Sequence, residues 1–438
     1  MEPLLNFSYE PLLETRIRLF RIVPSSTRNG LTIELRSNMP YGDDQPSDDT
    51  SCLMQPLVPY AALSYRWGDL QKDRAVTVNG SSLPVTTSLH DALGAIYRRH
   101  LRDCPLGLRR PSRWLWADAI CINQADGQEK IHQVRQMWQI YSAATEVLVW
   151  LGQASFNTAS AIKALTTITS CPTSNRTPRN TRRTEYWCDT EDHPFFCDAT
   201  LDGILDLACR PYFTRSWIVQ EYCQGKKVTL LCGSFNIDNE SLYHAVAVHY
   251  GPTSTWFKNE QHKWFMRIHK SWAEIGEIGE DLEDVFLLYF ESECTDRRDK
   301  VFAMLGHPGL RSSRSRVPML DVEYDLSADE LLLCLLEWYD KKLSSKEFLP
   351  IWAWTSDIDA AIEAIWELVL PLCESLGISR TKEWVKLIRG ITTQDLPELA
   401  TLQNGRAVAC NGIVLKTVTF CLHGVKCTPT DLPNYYGY

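Results

Sequence analysis

The sequence predicts an α/β fold, a three-layer arrangement with a parallel sheet and helices on both faces. Three observations carry this. Short apolar runs recur at Tyr60–Tyr65, Trp114–Ile120 and Glu146–Leu151. They lack polar alternation, as strands buried on both faces do. Between them lie segments with apolar residues at helical spacing: Leu89, Ala92, Leu93 and Ile96 in one, and Ile131, Val134, Met137, Trp138 and Tyr141 in the next. Strand–helix–strand–helix–strand order is the signature of a parallel sheet.

The elements follow in order. Residues 1–55 read as an N-terminal extension with strands at Arg16–Val23 and Leu31–Arg36, closed by the Pro/Gly/Asp-rich stretch Tyr41–Asp49. Tyr60–Asp69 reads as a buried strand running into a loop. Ala75–Val78 with the turn Asn79-Gly80 predicts a small hairpin, and Ser88–His100 a helix. Trp114–Ile120 reads as a second strand ending in an acid, Asp118. Asp126 with Glu129 three residues on has the capping-box pattern and opens the next helix. Glu146–Gly152 is the third strand. From about 170 to 192 the chain is polar and Arg-rich, which reads as a surface insertion. A helix beginning near Thr214 puts Trp217 and Glu221 on one face, four residues apart. Val228–Gly233 is a further strand. Residues 56–235 thus form one domain, and residues 236–438 a mostly helical C-terminal region in which Arg406–Phe420 has the pattern of a strand pair.

Composition excludes some classes of function. Lys and Arg total 45 against 54 Asp and Glu, a net charge of −9, which argues against a protein that coats nucleic acid. The 44% hydrophobic content is that of a folded chain. Fifteen cysteines occur without any C-x-x-C pair, and the first residues lack a basic and then apolar leader. The expectation is a soluble, cytoplasmic protein with reduced thiols and no membrane span.

Familiar catalytic signatures are missing. There is no G-x-G-x-x-G, no phosphate-loop motif and no G-x-S-x-G elbow. His244 and His249 are poorly spaced for a shared metal, and no metal or bound cofactor is expected. Cys121 lies past the second strand with His132 downstream, but a thiol there is more simply core. What remains is a set of polar groups at strand ends and on one helix: Ser64, Tyr65, Arg66 and Trp67, then Asp118, Asn123 and Gln124, then Arg215, Trp217 and Glu221. In an open parallel sheet, ligands collect beyond the carboxyl ends of the strands. The same groups also suit a purely structural network, with Arg66 or Arg215 pairing Asp118 or Glu221.

Tyr60–Asp69 (YAALSYRWGD), Leu115–Gln124 (LWADAICINQ), the stretch Gln133–Gly152 and Arg215–Glu221 (RSWIVQE) closely resemble the fungal heterokaryon-incompatibility (HET) domain, over about residues 60–222. Cys294–Gly306 and Val322–Ser327 resemble segments that commonly follow it. Ala117 departs from the larger aliphatic usual in the family, and a second departure is the polar insertion near 170–192, in a segment the family leaves variable. The resemblance implies a role in non-self recognition and regulated cell death. HET domains are in turn distantly similar to TIR domains, which are flavodoxin-like and in some cases cleave NAD. That similarity implies Glu221, four residues after Trp217, and Asp118 as catalytic groups, with NAD as substrate. The other polar groups would then bind it.

Two modes stay open. Cleaving the nicotinamide–ribose bond develops an oxocarbenium-like cation. One carboxylate about 4 Å away is worth roughly 4 kcal/mol at an effective dielectric near 20. Alternatively the domain is a noncatalytic module acting by self-association or through an incompatibility partner protein. A free Glu221 facing a pocket favours the first mode. A Glu221 locked against an arginine favours the second.

Overall fold

The structure, a computed structural model, describes residues 6–24, 30–41, 58–69, 71–103, 111–170, 198–250 and 262–273, then 285, 288–308, 322–328 and a few shorter pieces up to 415. The chain divides into two compact units, residues 1–133 with 139–273, and residues 134–138 with 274–438.

The first unit is built on a nine-stranded mixed sheet. In chain order the strands are β1 (Ile17–Val23), β2 (Thr32–Met39), β3 (Tyr60–Tyr65), β4 (Arg74–Val78), β5 (Ser81–Val85), β6 (Trp114–Trp116), β7 (Glu146–Trp150), β8 (Val228–Cys232) and β9 (Phe235–Asp238). Their spatial order is β5-β4-β2-β1-β6-β3-β7-β8-β9. The core β6-β3-β7-β8 is parallel throughout. Its first strand in sequence, β3, lies between the second and third. This is the flavodoxin-type order, whose switch point falls beside β3. Every residue of β3 and of β7 is buried. Successive side chains point to opposite faces, so both faces of these strands are covered.

The sheet is not purely parallel, as the sequence had suggested. β1 adds antiparallel to β6, and β9 adds antiparallel to β8. The strands of residues 1–55 therefore extend the same sheet. β9 is a strand the sequence did not announce; at four residues it is too short for alternation to register. Between β4 and β5, Asn79 (φ 49°) and Gly80 (φ 88°) make the expected tight turn. Asn79 has a second task. Its side-chain amide accepts from the Leu35 N–H at 3.0 Å and donates to the Leu35 carbonyl at 2.9 Å, standing in for a strand neighbour on β2.

The helices of this unit are α1 (Thr87–Asp103), α2 (Asp118–Cys121), α3 (Gly127–Ala143), α4 (Thr158–Ser170), α5 (Asp198–Ala208), α6 (Ile218–Cys223), α7 (Asn239–Tyr250) and α8 (Lys263–Ala273). Leu89, Ala92, Leu93 and Ile96 form the buried stripe of α1, as their spacing predicts. Asp126 caps α3, accepting from the Gln128 and Glu129 N–H groups at 3.0 and 3.1 Å. Glu129 does not complete the capping box. Its carboxylate instead pairs with Arg18 of β1 and accepts from the Asn123 N–H at 2.7 Å. The helix expected near Thr214 is split: Pro211–Thr214 is a 3-10 turn, with Pro suited to its first position, and α6 begins only at Ile218.

In the second unit, α9 (Asp299–Met304) follows a clamp. Arg298 makes two bonds to Asp296, at 2.9 and 2.6 Å, and reaches the Leu326 carbonyl at 2.7 Å. Tyr324 donates to Asp299 at 2.7 Å and packs on Phe302. The motif stretches Cys294–Gly306 and Val322–Ser327 are thus one substructure. The strand pair expected within Arg406–Phe420 is present as β10 (Val408–Cys410) and β11 (Ile413–Leu415), antiparallel. The insertion read at 170–192 lies outside the described residues except at its first position. Among the described residues, no helix is long and apolar enough to cross a membrane.

Candidate functional site

β3 runs to its carboxyl end through Ser64 and Tyr65, and its neighbour β6 ends two residues before Asp118. Asp118 is therefore not the end of a strand. It is the first residue of the one-turn helix α2, where a carboxylate favours the exposed N–H groups. Its Oδ1 accepts from the Ala119 N–H at 2.7 Å. Its Oδ2 accepts from the Trp67 indole N–H at 2.8 Å. Gly68 (φ 72°) turns the chain immediately after Trp67, a conformation that suits glycine.

The other half of the cluster comes from the turn and helix after α5. Glu221 is 2% exposed. Arg215 grips it with two parallel bonds, Nη1 to Oε2 at 2.9 Å and Nη2 to Oε1 at 3.0 Å. Ser64 donates its hydroxyl to Oε2. With its proton committed, Ser64 Oγ accepts from the Tyr212 hydroxyl at 2.6 Å. The result is a directed chain, Tyr212 to Ser64 to Glu221, with Arg215 closing the other side. The Tyr212 ring also lies 5.8 Å from the Arg215 guanidinium carbon.

The electrostatics follow from where the cation sits. Burial alone would lower the Arg215 pKa, but Glu221 beside it keeps the guanidinium firmly protonated. Its charge is committed to Glu221. Burial pushes the Asp118 carboxyl up to about 6, and the Glu221 charge pushes the same way; Arg215 and the Trp67 N–H hold it back. Asp118 is nonetheless only half-buried. The phenols of Tyr65, Tyr141 and Tyr212 are raised well above the ordinary range, first by burial and then by these carboxylates. All three are neutral at any physiological pH.

Of the residues singled out in the sequence, the structure brings together Ser64, Tyr65, Trp67, Asp118, Arg215 and Glu221. Gln124 joins through its side chain, which donates to the Asp118 carbonyl at 3.1 Å. The Asn123 backbone N–H donates to Glu129 at 2.7 Å, and its side-chain Oδ1 accepts from the Ala125 N–H at 3.2 Å. Arg66 is exposed, and its backbone carbonyl accepts from Ser88 Oγ at 2.7 Å. Trp217 precedes α6 as its cap residue, half-buried, and supplies the carbonyl that the Glu221 N–H bonds at 3.1 Å. Its indole makes none of the contacts that define the cluster. Cys121 is core: burial pushes its thiol up to about 12, and His132 bonds the Glu14 carbonyl instead.

Sequence reasoning missed Tyr212 and Tyr141. Tyr141 donates to the Leu63 carbonyl at 3.2 Å and packs edge-on against Trp116. The Tyr212 signal was present in Pro211-Tyr212-Phe213, an aromatic pair held by a proline turn just before Arg215. Among the described residues, no group of three or more His, Cys, Asp or Glu side chains is placed to hold a metal.

Residues 60–221 match the model of the family described as Heterokaryon incompatibility protein (HET). The chain is also similar to the Neurospora crassa protein named Heterokaryon incompatibility protein 6, OR allele, with 26% identity over 356 residues. That alignment covers 69% of this chain and 49% of the relative, so the chain spans about half the length of the curated protein it matches. No solved structure matches it significantly.

Proposed function

Because this is a HET-domain protein, we propose that it acts in heterokaryon incompatibility as a cytoplasmic signalling module or effector of regulated cell death, without catalysing a reaction through Glu221. The observation that supports this mode is the double occupation of the Glu221 carboxylate. Both oxygens are bonded by Arg215, one also by Ser64, and the side chain is 3% exposed. A carboxylate so held has no open side to present to a developing sugar cation. Freeing it means breaking a bidentate charge-assisted pair, among the stronger contacts a protein makes. In this reading the module works by association, with a second copy or with an incompatibility partner protein.

A second reading keeps NAD cleavage and shifts the emphasis to Asp118. It is half-buried, beside the Trp67 indole, and near the switch point where flavodoxin-type sheets bind ligands. Its raised pKa is also typical of functional sites. Two measurements separate the readings: nicotinamide release from NAD by the purified protein, and death of cells expressing it. Killing without NAD loss supports the module. NAD cleavage abolished by Asp118→Asn overturns it in favour of the enzyme.

A further inference from the structure

We infer that Arg18 is a positioning residue for the loop that carries Asp118, Asn123 and Gln124, so that the geometry of the candidate site is set from outside the 60–221 segment. Arg18 sits in β1, between Ile17 and Leu19, and all three are fully buried. Its Nη1 donates to the Cys121 carbonyl at 2.9 Å and to Glu129 Oε1 at 2.6 Å. Its Nη2 donates to Glu129 Oε2 at 2.9 Å and to the Glu10 carbonyl at 2.5 Å. The Tyr9 ring lies 4.9 Å from the guanidinium carbon, and the Tyr9 hydroxyl donates to the Ile120 carbonyl at 3.1 Å.

These contacts fall on one short stretch of backbone. α2 has four residues, too few to hold itself together, and its last carbonyls have no helical partners of their own. Tyr9 takes the carbonyl of Ile120 and Arg18 that of Cys121. Glu129, oriented by Arg18, takes the N–H of Asn123 at 2.7 Å. Three successive anchors thus bracket the turn from α2 toward α3, and Asp118 opens that turn. An ion pair that served stability alone would have no need of the loop's backbone. Burying such a pair gains little over apolar side chains of the same size.

The inference shares the Asp118 loop with the proposed function but does not depend on NAD being cleaved, and its test reads the loop itself. The groups that face Asp118 are Tyr65 and Trp67 from the end of β3, Arg215 and Glu221 from the turn and α6, Cys121 on α2 and Tyr141 on α3. None of these is altered in the double variant or in Arg18→Lys. The double variant Arg18→Met with Glu129→Leu replaces the pair by apolar volume while removing the anchors on Cys121 and Asn123. The denaturant midpoint should stay near that of the unaltered protein. Amide exchange over residues 119–124 should quicken about tenfold or more. The pH midpoint of the Trp67 indole resonance, identified as the one lost in Trp67→Phe, should move by about half a unit or more. Unaltered exchange and midpoint in a stable double variant would overturn the inference. If the double variant does not fold, Arg18→Lys decides, since it keeps the charge but not the planar fork. Faster exchange over 119–124 then supports positioning, and unchanged exchange overturns it.

Discussion

Arg215 and Glu221 stand six residues apart and meet face to face, guanidinium fork on carboxylate, where the 3-10 turn passes into α6. Removing one charge of a buried pair strands the other. Glu221→Gln should therefore destabilise the first unit by about 3–5 kcal/mol, whatever it does to function. Urea denaturation checks this. A Glu221→Gln protein as stable as the original would show that the pair contributes nothing to the fold, and the carboxylate would again be free for chemistry.

Asp118 gives a pH dependence whose sign is set by its raised pKa. The carboxyl titrates near 6 in the folded protein and near 3.8 when unfolded. Between those values the folded state holds the extra proton, so this group's stabilisation is present below about 4 and lost as pH rises through 6. Asp118→Asn retains an acceptor for the Trp67 indole and cannot ionise. It should stabilise the protein above pH 6 by roughly 1–3 kcal/mol, with the difference fading toward pH 4. Thermal midpoints across that range test it; a constant difference would mean that Asp118 is an ordinary solvated acid.

His269 pulls the other way. It is stacked on Tyr243 with ring centroids 4.2 Å apart, and burial, helped by the nearby His244, lowers its pKa from 6.5 to about 3. The unfolded state binds the proton first, so stability should fall as pH drops below 6.5. His269→Phe keeps a ring on Tyr243 and removes the titration. Its denaturant midpoint should decline less than that of the unaltered protein between pH 6.5 and pH 4, and parallel declines would refute the assignment.

Gly233 and Gly80 offer a comparison of crowding with strain. Both have positive φ, 55° and 88°. A Cβ on Gly233 would come within 2.9 Å of the Ala154 Cβ and 3.0 Å of its backbone nitrogen, whereas one on Gly80 meets nothing within 4 Å. Gly80→Ala should cost about 1–2 kcal/mol of backbone strain. Gly233→Ala should cost more, because the loop after β7 must also move. Equal losses in a melting experiment would mean that this loop yields freely.

Much of this was legible in the sequence where the information is local. β3 and β7 announce themselves as unbroken apolar runs, α1 by its buried stripe, α3 by Asp126, and the hairpin by Asn79-Gly80. Pairing across long distances was not legible. Nothing in Ile17–Val23 says that it joins β6, about ninety residues away, because that choice is made by the exposed edge of β6 and not by β1. The helix at Asp118 was hidden for a related reason. Ala117–Cys121 is apolar except for Asp118, and so short a run suits strand and helix alike. The residue types of the site were visible, its wiring was not. Ser64 lies 148 residues before Tyr212 and 157 before Glu221 in the sequence. Arg18 left little trace: β1 carries two arginines, Arg18 and Arg21, and nothing local says that only Arg18 is fully buried.

The Asn79 amide that stands beside Leu35 has a consequence for how copies of this protein behave toward one another. A sheet margin with open N–H and C=O groups invites any passing extended chain to zip onto it, above all at the high local concentrations of nascent or partly opened molecules. β4 pairs with β2 only at Thr32 and Ile33, so the ladder would lie bare from there on. A side chain rooted in a turn occupies the next rung and cannot propagate the pairing further. One amide thus works as a stopper against runaway sheet growth.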